Sequence, residues 1–549
     1  MMPIMKISRT PATVGCMLLV AIFFLQCVPD TQTDSSDEYL NFPTELSPST
    51  PYDVDQKLQA QLTAQGEFDE VQRLFDILSW QFFVSLNWPR DEQGVPLPEI
   101  NDEGNPIWFS WKESFEVFKQ DGSAPLPLGE FEAPAGLKSG LIPGQDRILF
   151  RTSKFAEFQH PDVADEIDQA FTTAIYDQSG NAARYEVRMN NVEFDYIVKN
   201  ELYNYDGQIA FYADQAGKDS VVNFPRGSRD VEGVFEVKIA WKIMVDGVDI
   251  PERYFTTEAQ VVNEDGSFSA ATVGMIGMHI STKTESAPQW IWATFEHVDN
   301  LETNPLIKVN GKPVQPSFND PDCAICPINS LPEESNGKLT NQIKRVIPIA
   351  PATEQLNAQV QGVLSEADSR LAYYQLVGTQ WPTRPDARAY TYSDSTVYTL
   401  PDAITNKPGG YPTPVYLTNM IMETYFQGGT ITKSPSGVDT FLIKQTYIQG
   451  GEITLEDTIT GYNVYNSNEP AFFQIQGAPV GKDLINTQRK VFGTESCMAC
   501  HFSASIAKGF TVDKNTGQKL PVFAAPADAD FSWLLQLKAH FKTLENSND

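Results

Sequence analysis

Basic side chains are scarce in this chain. Its 40 Lys and Arg stand against 71 Asp and Glu, a formal net charge of −31. A field of that sign repels nucleic acid and anionic headgroups, which argues against DNA, RNA or phospholipid-surface binding as a function. It keeps an exported protein soluble and can also dock a basic redox partner. Long apolar runs are scarce too. The run from Cys16 to Leu25 is too short to span a bilayer comfortably, and the chain has no second one. There is no internal repeat. The acidic turns Asp177 to Asn181 and Asn263 to Ser267 lack the spacing of an EF-hand loop. Cysteines number six and histidines five, and no Met follows Met498. The few that are present are therefore informative.

The first residues read as a targeting segment. Lys6 and Arg9 form a basic region, the apolar run comes next, and Phe24-Leu25-Gln26-Cys27 resembles the lipobox of bacterial lipoproteins. That resemblance implies a signal peptide over 1–26 and a lipid-bearing Cys27. The mature protein is then anchored to a bilayer on the periplasmic or cell-surface side. Ser, Thr and Asp dominate the next stretch, and a flexible tether is expected over 27–66.

An α+β fold is expected beyond it. Val71, Leu74, Phe75, Leu78, Phe82 and Leu86 recur at helical spacing before Pro89. Residues 67–320 then read as a largely antiparallel β domain. Tyr185, Val187 and Met189 alternate with polar neighbours, as do Phe235, Val237, Ile239 and Trp241. Residues 321–549 read as a mixed, helical segment. It has helices over about Thr353 to Tyr374, Pro414 to Gln427 and Phe531 to Leu544, and a β-hairpin insertion at about 428–481.

With Cys16 and Cys27 set aside, four cysteines remain, in two C-x-x-C pairs. Cys323 and Cys326 are followed by Pro327, whereas Cys497 and Cys500 are followed by His501. Covalent haem attachment needs two thiols for the two vinyl groups of one porphyrin and an imidazole for the iron, and C-x-x-C-H supplies all three. The competing readings are a disulfide, or a zinc site completed by Cys323 and Cys326. Export favours haem c. Pro327 rules out a second attachment of this kind, and a disulfide is the default for Cys323 and Cys326. The second iron ligand is open among Met420, Met422 and His540, and so is a vacant coordination position. His279, and His297 in Glu296-His-Val-Asp-Asn300, are candidate functional histidines.

Several blocks resemble a family of exported bacterial proteins labelled cytochrome c family protein. They are Ser79 to Pro89, Ile107 to Glu113, the His279 segment, Gln289 to His297, Gln375 to Pro382, Leu417 to Gln427 and Glu495 to His501. The resemblance implies a β-rich body with a C-terminal haem segment attached at Cys497, Cys500 and His501.

The expected function is electron transfer through one covalent haem, to a partner protein in the cell envelope. A haem-dependent oxidoreductase or peroxidase with an open iron is the alternative. A surface lipoprotein that binds a ligand and keeps a structural or sensing haem is the third reading.

Overall fold

Two of the alternating segments read from sequence become neighbouring strands of one sheet. The structure is a computed structural model that describes residues 40–131, 147–149, 174–215, 221–262, 267–302, 304–309, 312–323, 326, 329, 332–335, 337–345, 349–383, 417–424, 430–433, 439–446, 454–460, 475–476, 497–501, 504–525 and 528–543. The signal segment expected over 1–26 and the expected lipid-bearing Cys27 lie outside the described residues, as do residues 263–266 of the second acidic turn expected from sequence.

From residue 40 the chain is packed, so the tether expected over 27–66 ends earlier than its composition suggested. Phe42, Val54, Leu58 and Leu62 are buried in the main core. Helix α1 (Gln56–Gln65) starts where the Asp55 carboxylate accepts from the Lys57 and Leu58 N–H groups. It ends at Gly66, whose φ of 78° favours glycine. Helix α2 (Phe68–Leu86) obeys the apolar spacing and stops at Asn87, whose amide donates to the Phe83 carbonyl at 2.8 Å.

Eight strands form a curled and largely antiparallel sheet: β1 (Lys112–Glu113), β2 (Ile148–Leu149), β3 (Arg184–Met189), β4 (Phe235–Ile243), β5 (Thr256–Val262), β6 (Phe268–Thr282), β7 (Ile291–His297) and β8 (Tyr374–Gln380). Only β2 runs parallel to its neighbour, β5. The 15-residue β6 pairs with β4 along one edge, while β5 and β7 divide its other edge end to end. Strand β8 pairs with β7, so the boundary expected near residue 320 does not separate this sheet from the C-terminal part of the chain.

The strand alternation sorts side chains onto two faces. Phe235, Val237, Ile239 and Trp241 of β4 join Ile291, Ala293 and Phe295 of β7 in the main core. Helix α2 lies on this face: Phe83 stacks on Phe295 at 4.2 Å and Trp80 meets it edge-on at 5.0 Å. The Trp80 indole also donates to Asn357, tying α2 to the helix Pro351–Glu366. Each large side chain fully buried here contributes roughly 1.5–3 kcal/mol. The second face carries a transverse row, Met189–Glu236–Ser281–Trp292–Gln380, read across β3, β4, β6, β7 and β8.

Three helices expected from sequence are corrected. The helix over 353–374 ends at Glu366. Asp368 is left-handed (φ 51°), and Arg370–Tyr373 is a short 3-10 turn leading into β8. The helix expected over 414–427 is a turn across its described residues 417–424. There the Asn419 side chain accepts from the Ile421 and Met422 N–H groups and its carbonyl from the Glu423 N–H, one capped turn that does not wind on into a helix within those residues. The terminal helix shrinks to Trp533–Leu537. The described C-terminal residues are thus not predominantly helical: two five-residue helices flank a hairpin of Ala507–Val512 and Lys519–Phe523. The expected insertion contains a four-stranded antiparallel sheet of Thr430–Lys433, Asp439–Thr446, Thr454–Thr460 and Ile475–Gln476. No described helix is long and apolar enough to cross a membrane.

Candidate functional site

Cys497–His501 is a single helical turn docked on the second face of the sheet. Its i, i+3 spacing puts the two cysteine positions on one side of that turn. Met498 is fully buried, and its N–H donates to the Gln380 side chain at 2.7 Å. The half-buried His501 ring packs on Trp292, the cross-strand partner of Gln380, with centroids 4.3 Å apart. Two members of the transverse row therefore hold the turn at both ends.

The orientation of His501 comes from farther along the chain. Its Nδ1 lies 2.8 Å from the Phe531 carbonyl oxygen. A carbonyl can only accept, so Nδ1 carries the hydrogen, and in the neutral ring Nε2 is the nitrogen with the lone pair. Asp530 and Phe531 both have left-handed backbones (φ 50° and 69°), and so does Trp290 (φ 72°). Such values are outliers for large side chains. Here they turn adjacent carbonyls inward: the Trp290 indole donates to the Asp530 carbonyl at 2.9 Å while Phe531 serves His501. Strain of this kind concentrates at functional sites. The segment is pinned by the buried ion pair of Lys283 with Asp530 and by the Phe224 N–H, which donates to the same carboxylate at 2.7 Å.

The other candidates fall in different places. Met420 and Met422 are buried with Ile276, Phe318 and Ile343, not with the Trp292 cluster around the C-x-x-C-H turn. The Met422 methyl lies over Gly277, four residues along β6 from Ser281, or about 13 Å from the transverse row. His540 lies just past the terminal helix. Its carbonyl accepts from the Tyr205 N–H at 3.0 Å, anchoring the tail to the helix Tyr205–Gln215. His279 is one same-face step from Ser281 and lies 3.4 Å from the Glu423 carboxylate.

His297 is a buried structural histidine. It stacks on Tyr254 at 3.8 Å, its Nε2 donates to the Arg253 carbonyl at 2.9 Å, and its Nδ1 accepts from the Asp299 N–H. Burial lowers it to about 4, outweighing the nearby Asp299 carboxylate. Cys323 and Cys326 are joined in a disulfide, which removes the thiolates a shared zinc site would need. No group of three or more His, Cys, Asp or Glu among the described residues is placed to hold a metal ion.

Motif spacing gives no hint of the ionisable groups beside the turn. Glu193 on helix α3 (Asn191–Lys199) is fully buried, and burial, then Glu236 and Asp530, push its carboxyl well above the usual range. Burial pushes Glu236 and Glu113 up to about 7 each, against bonds and cations that pull them down. In the sequence Glu193 is one more acidic residue in a helical first turn, with no signal to set it apart.

Comparison of the chain with protein-family models, curated proteins and solved structures found no match in any of the three.

Proposed function

We propose that the chain binds one haem c through Cys497 and Cys500, with His501 as proximal ligand, and passes single electrons to a partner in the bacterial envelope, held there by a lipid on Cys27. The observation that carries this reading is the His501 Nδ1–H donated to the Phe531 carbonyl. A histidine ligand needs its second nitrogen so held, because that bond fixes both tautomer and ring direction and makes the ligating nitrogen more basic. The residues therefore suit the group.

When bound, haem supplies one-electron redox chemistry. The protein's own part is positional. Phe531 fixes the His501 tautomer that has its lone pair on Nε2, Trp292 covers one side of the ring, and the buried Met498 anchors the turn between the two attachment thiols. The excess of acidic residues suits a basic partner, for which opposite charge speeds encounter. A haem enzyme with an open iron is the second reading. It is favoured by the packing of Met420 and Met422 in a separate cluster, which leaves neither thioether at His501.

The test is an absorption spectrum of protein expressed in a host competent for c-type maturation, taken ferric, reduced, and reduced with carbon monoxide. Covalently retained haem with a low-spin spectrum unmoved by carbon monoxide is the expected result for electron transfer. Carbon monoxide binding transfers the reading to the enzyme. A protein without covalent haem overturns both.

A further inference from the structure

The face that holds His501 also buries carboxyl groups for which the haem reading has no use. Glu193 is buried on α3, whose Phe194 and Ile197 join Trp290 and Trp292 in one apolar cluster. Both of its carboxyl oxygens are buried without a hydrogen-bond partner. Its neighbour Glu236 belongs to the transverse row that carries Trp292, two strands away. Glu236 accepts from the Ser532 hydroxyl at 3.4 Å, and Ser532 comes directly after the residue whose carbonyl holds His501. The carboxyl pair and the proposed iron ligand thus meet on three consecutive residues, 530 to 532.

A buried carboxylate without partners is untenable as an ion and takes up a proton instead. Glu193 is such a group, and Glu236 is buried with only the long Ser532 bond; two buried carboxyls that repel each other titrate as a unit, one proton being held far more tightly than the second. We propose that Glu193 and Glu236 form a proton-loading pair, which gains a proton when the haem site gains an electron and releases it when the electron leaves. This inference rests on the haem reading above. The redox partner supplies the electron, water supplies the proton, and the proton adds to a carboxylate oxygen of the pair; no bond between heavy atoms changes. Two strand spacings put Glu236 about 10 Å from Trp292. One unit of charge within about 10 Å of a carboxyl, with an effective dielectric of about 20, changes its proton affinity roughly tenfold.

Other charges face the pair and set its working range. Asp530 opposes ionisation of Glu193 but is itself neutralised by Lys283, with Arg226 nearby. Lys238 on β4 and Lys538 from the C-terminal segment favour ionisation of Glu236. Glu113 also faces Lys538, together with Arg188. Burial nonetheless dominates for both members of the pair: it raises Glu236 to about 7 and holds Glu193 well above the ordinary carboxyl range.

The experiment is a redox titration of the full haem-loaded protein from about pH 5 to about pH 9, a span from ordinary to raised carboxyl values. The midpoint potential is expected to fall as pH rises, by at most about 59 mV per tenfold change in proton activity. Glu193→Gln and Glu236→Gln should each move the sloping region, and the double variant should abolish the pair's share of it. A slope that persists unchanged in the double variant belongs to the haem's own propionates and overturns the proposal. If the variants fail to fold, proton uptake by the native protein on reduction, read with an indicator dye, decides: none taken up overturns it as well. A protein that gives no redox wave because it carries no haem overturns the underlying reading, a distinct outcome.

Discussion

The two faces of the central sheet are made from the same strands and differ in almost everything else. One is mainly aromatic, covered by α2 and by the helix Pro351–Glu366, with Phe83, Phe295 and Trp80 in mutual ring contact, and its buried Glu186 is paired with Arg147 and Arg188 and bonded to Trp241. The other is tiled by the turn at 417–424, the C-x-x-C-H turn and the segment 528–543, and it buries Glu193, Asp530 and Lys283. A carboxyl buried without partners, as at Glu193, and left-handed aromatic residues, as at Trp290 and Phe531, lower stability, so a face that accumulates them is shaped by something besides folding. The comparison separates the half of the molecule that holds its form from the half that carries the candidate site.

The sharpest way to break that separation is to remove the attachment thiols. Cys497→Ala with Cys500→Ala should abolish covalent haem, read by haem staining after denaturing electrophoresis, while the far-ultraviolet circular dichroism of the sheet persists. Phe83→Ala on the apolar face should do the reverse. It should cost about 3–5 kcal/mol in denaturant melts and leave the haem spectrum of the folded protein unaltered. Asp530→Asn should strike both properties. It strands the Lys283 cation, a loss of about 3–5 kcal/mol, and loosens the segment that presents the Phe531 carbonyl to His501.

Acid and base should tell the faces apart more gently. Glu236 and Glu113 bind protons more tightly when folded, so their contribution favours the native state at low pH and fades as pH rises from about 4.5 to about 7. His297 has the opposite sign. Its folded value of about 4 lies below the ordinary 6.5, so stability is lost as pH falls through that interval. Melts across this range should show Glu236→Gln flattening the first trend and His297→Asn the second. The smallest effect is expected from His279→Ala, whose half-buried pairing with Glu423 should be worth no more than about 1 kcal/mol in the same melts.

Much of the sheet was legible in the chain. The alternation in Tyr185–Met189 and Phe235–Trp241 reports strands with one face against a core, and the spacing from Val71 to Leu86 reports α2. Periodicity misjudged how far a turn winds. Met420, Ile421 and Met422 look helical, and Asn419 caps the turn they open, yet the described residues 417–424 hold no more than that turn. The tether was overextended because residues 40–54 carry few apolar groups, and Asp53 fastens them instead through the Thr284 hydroxyl and the Ser286 N–H. For the candidate site, the C-x-x-C-H turn was legible as a motif. The Phe531 carbonyl was not, since any residue can supply a carbonyl and only the fold decides which one does. Glu193 was hidden for the same reason: its meaning depends on neighbours 43 and more positions away, at Glu236 and Asp530.

The bond from His501 to Phe531 also has a direction in time. A ribosome makes the attachment pentapeptide before the strained residues Asp530 and Phe531 exist, and a chain crossing a membrane from its N-terminus delivers them in the same order. The two thiols and the imidazole are thus present as an unaligned set until the last few dozen residues arrive. A chain cut after Phe523 keeps every atom proposed to touch the haem and lacks the carbonyl that aims the ring. In such a protein attachment and alignment become separate events.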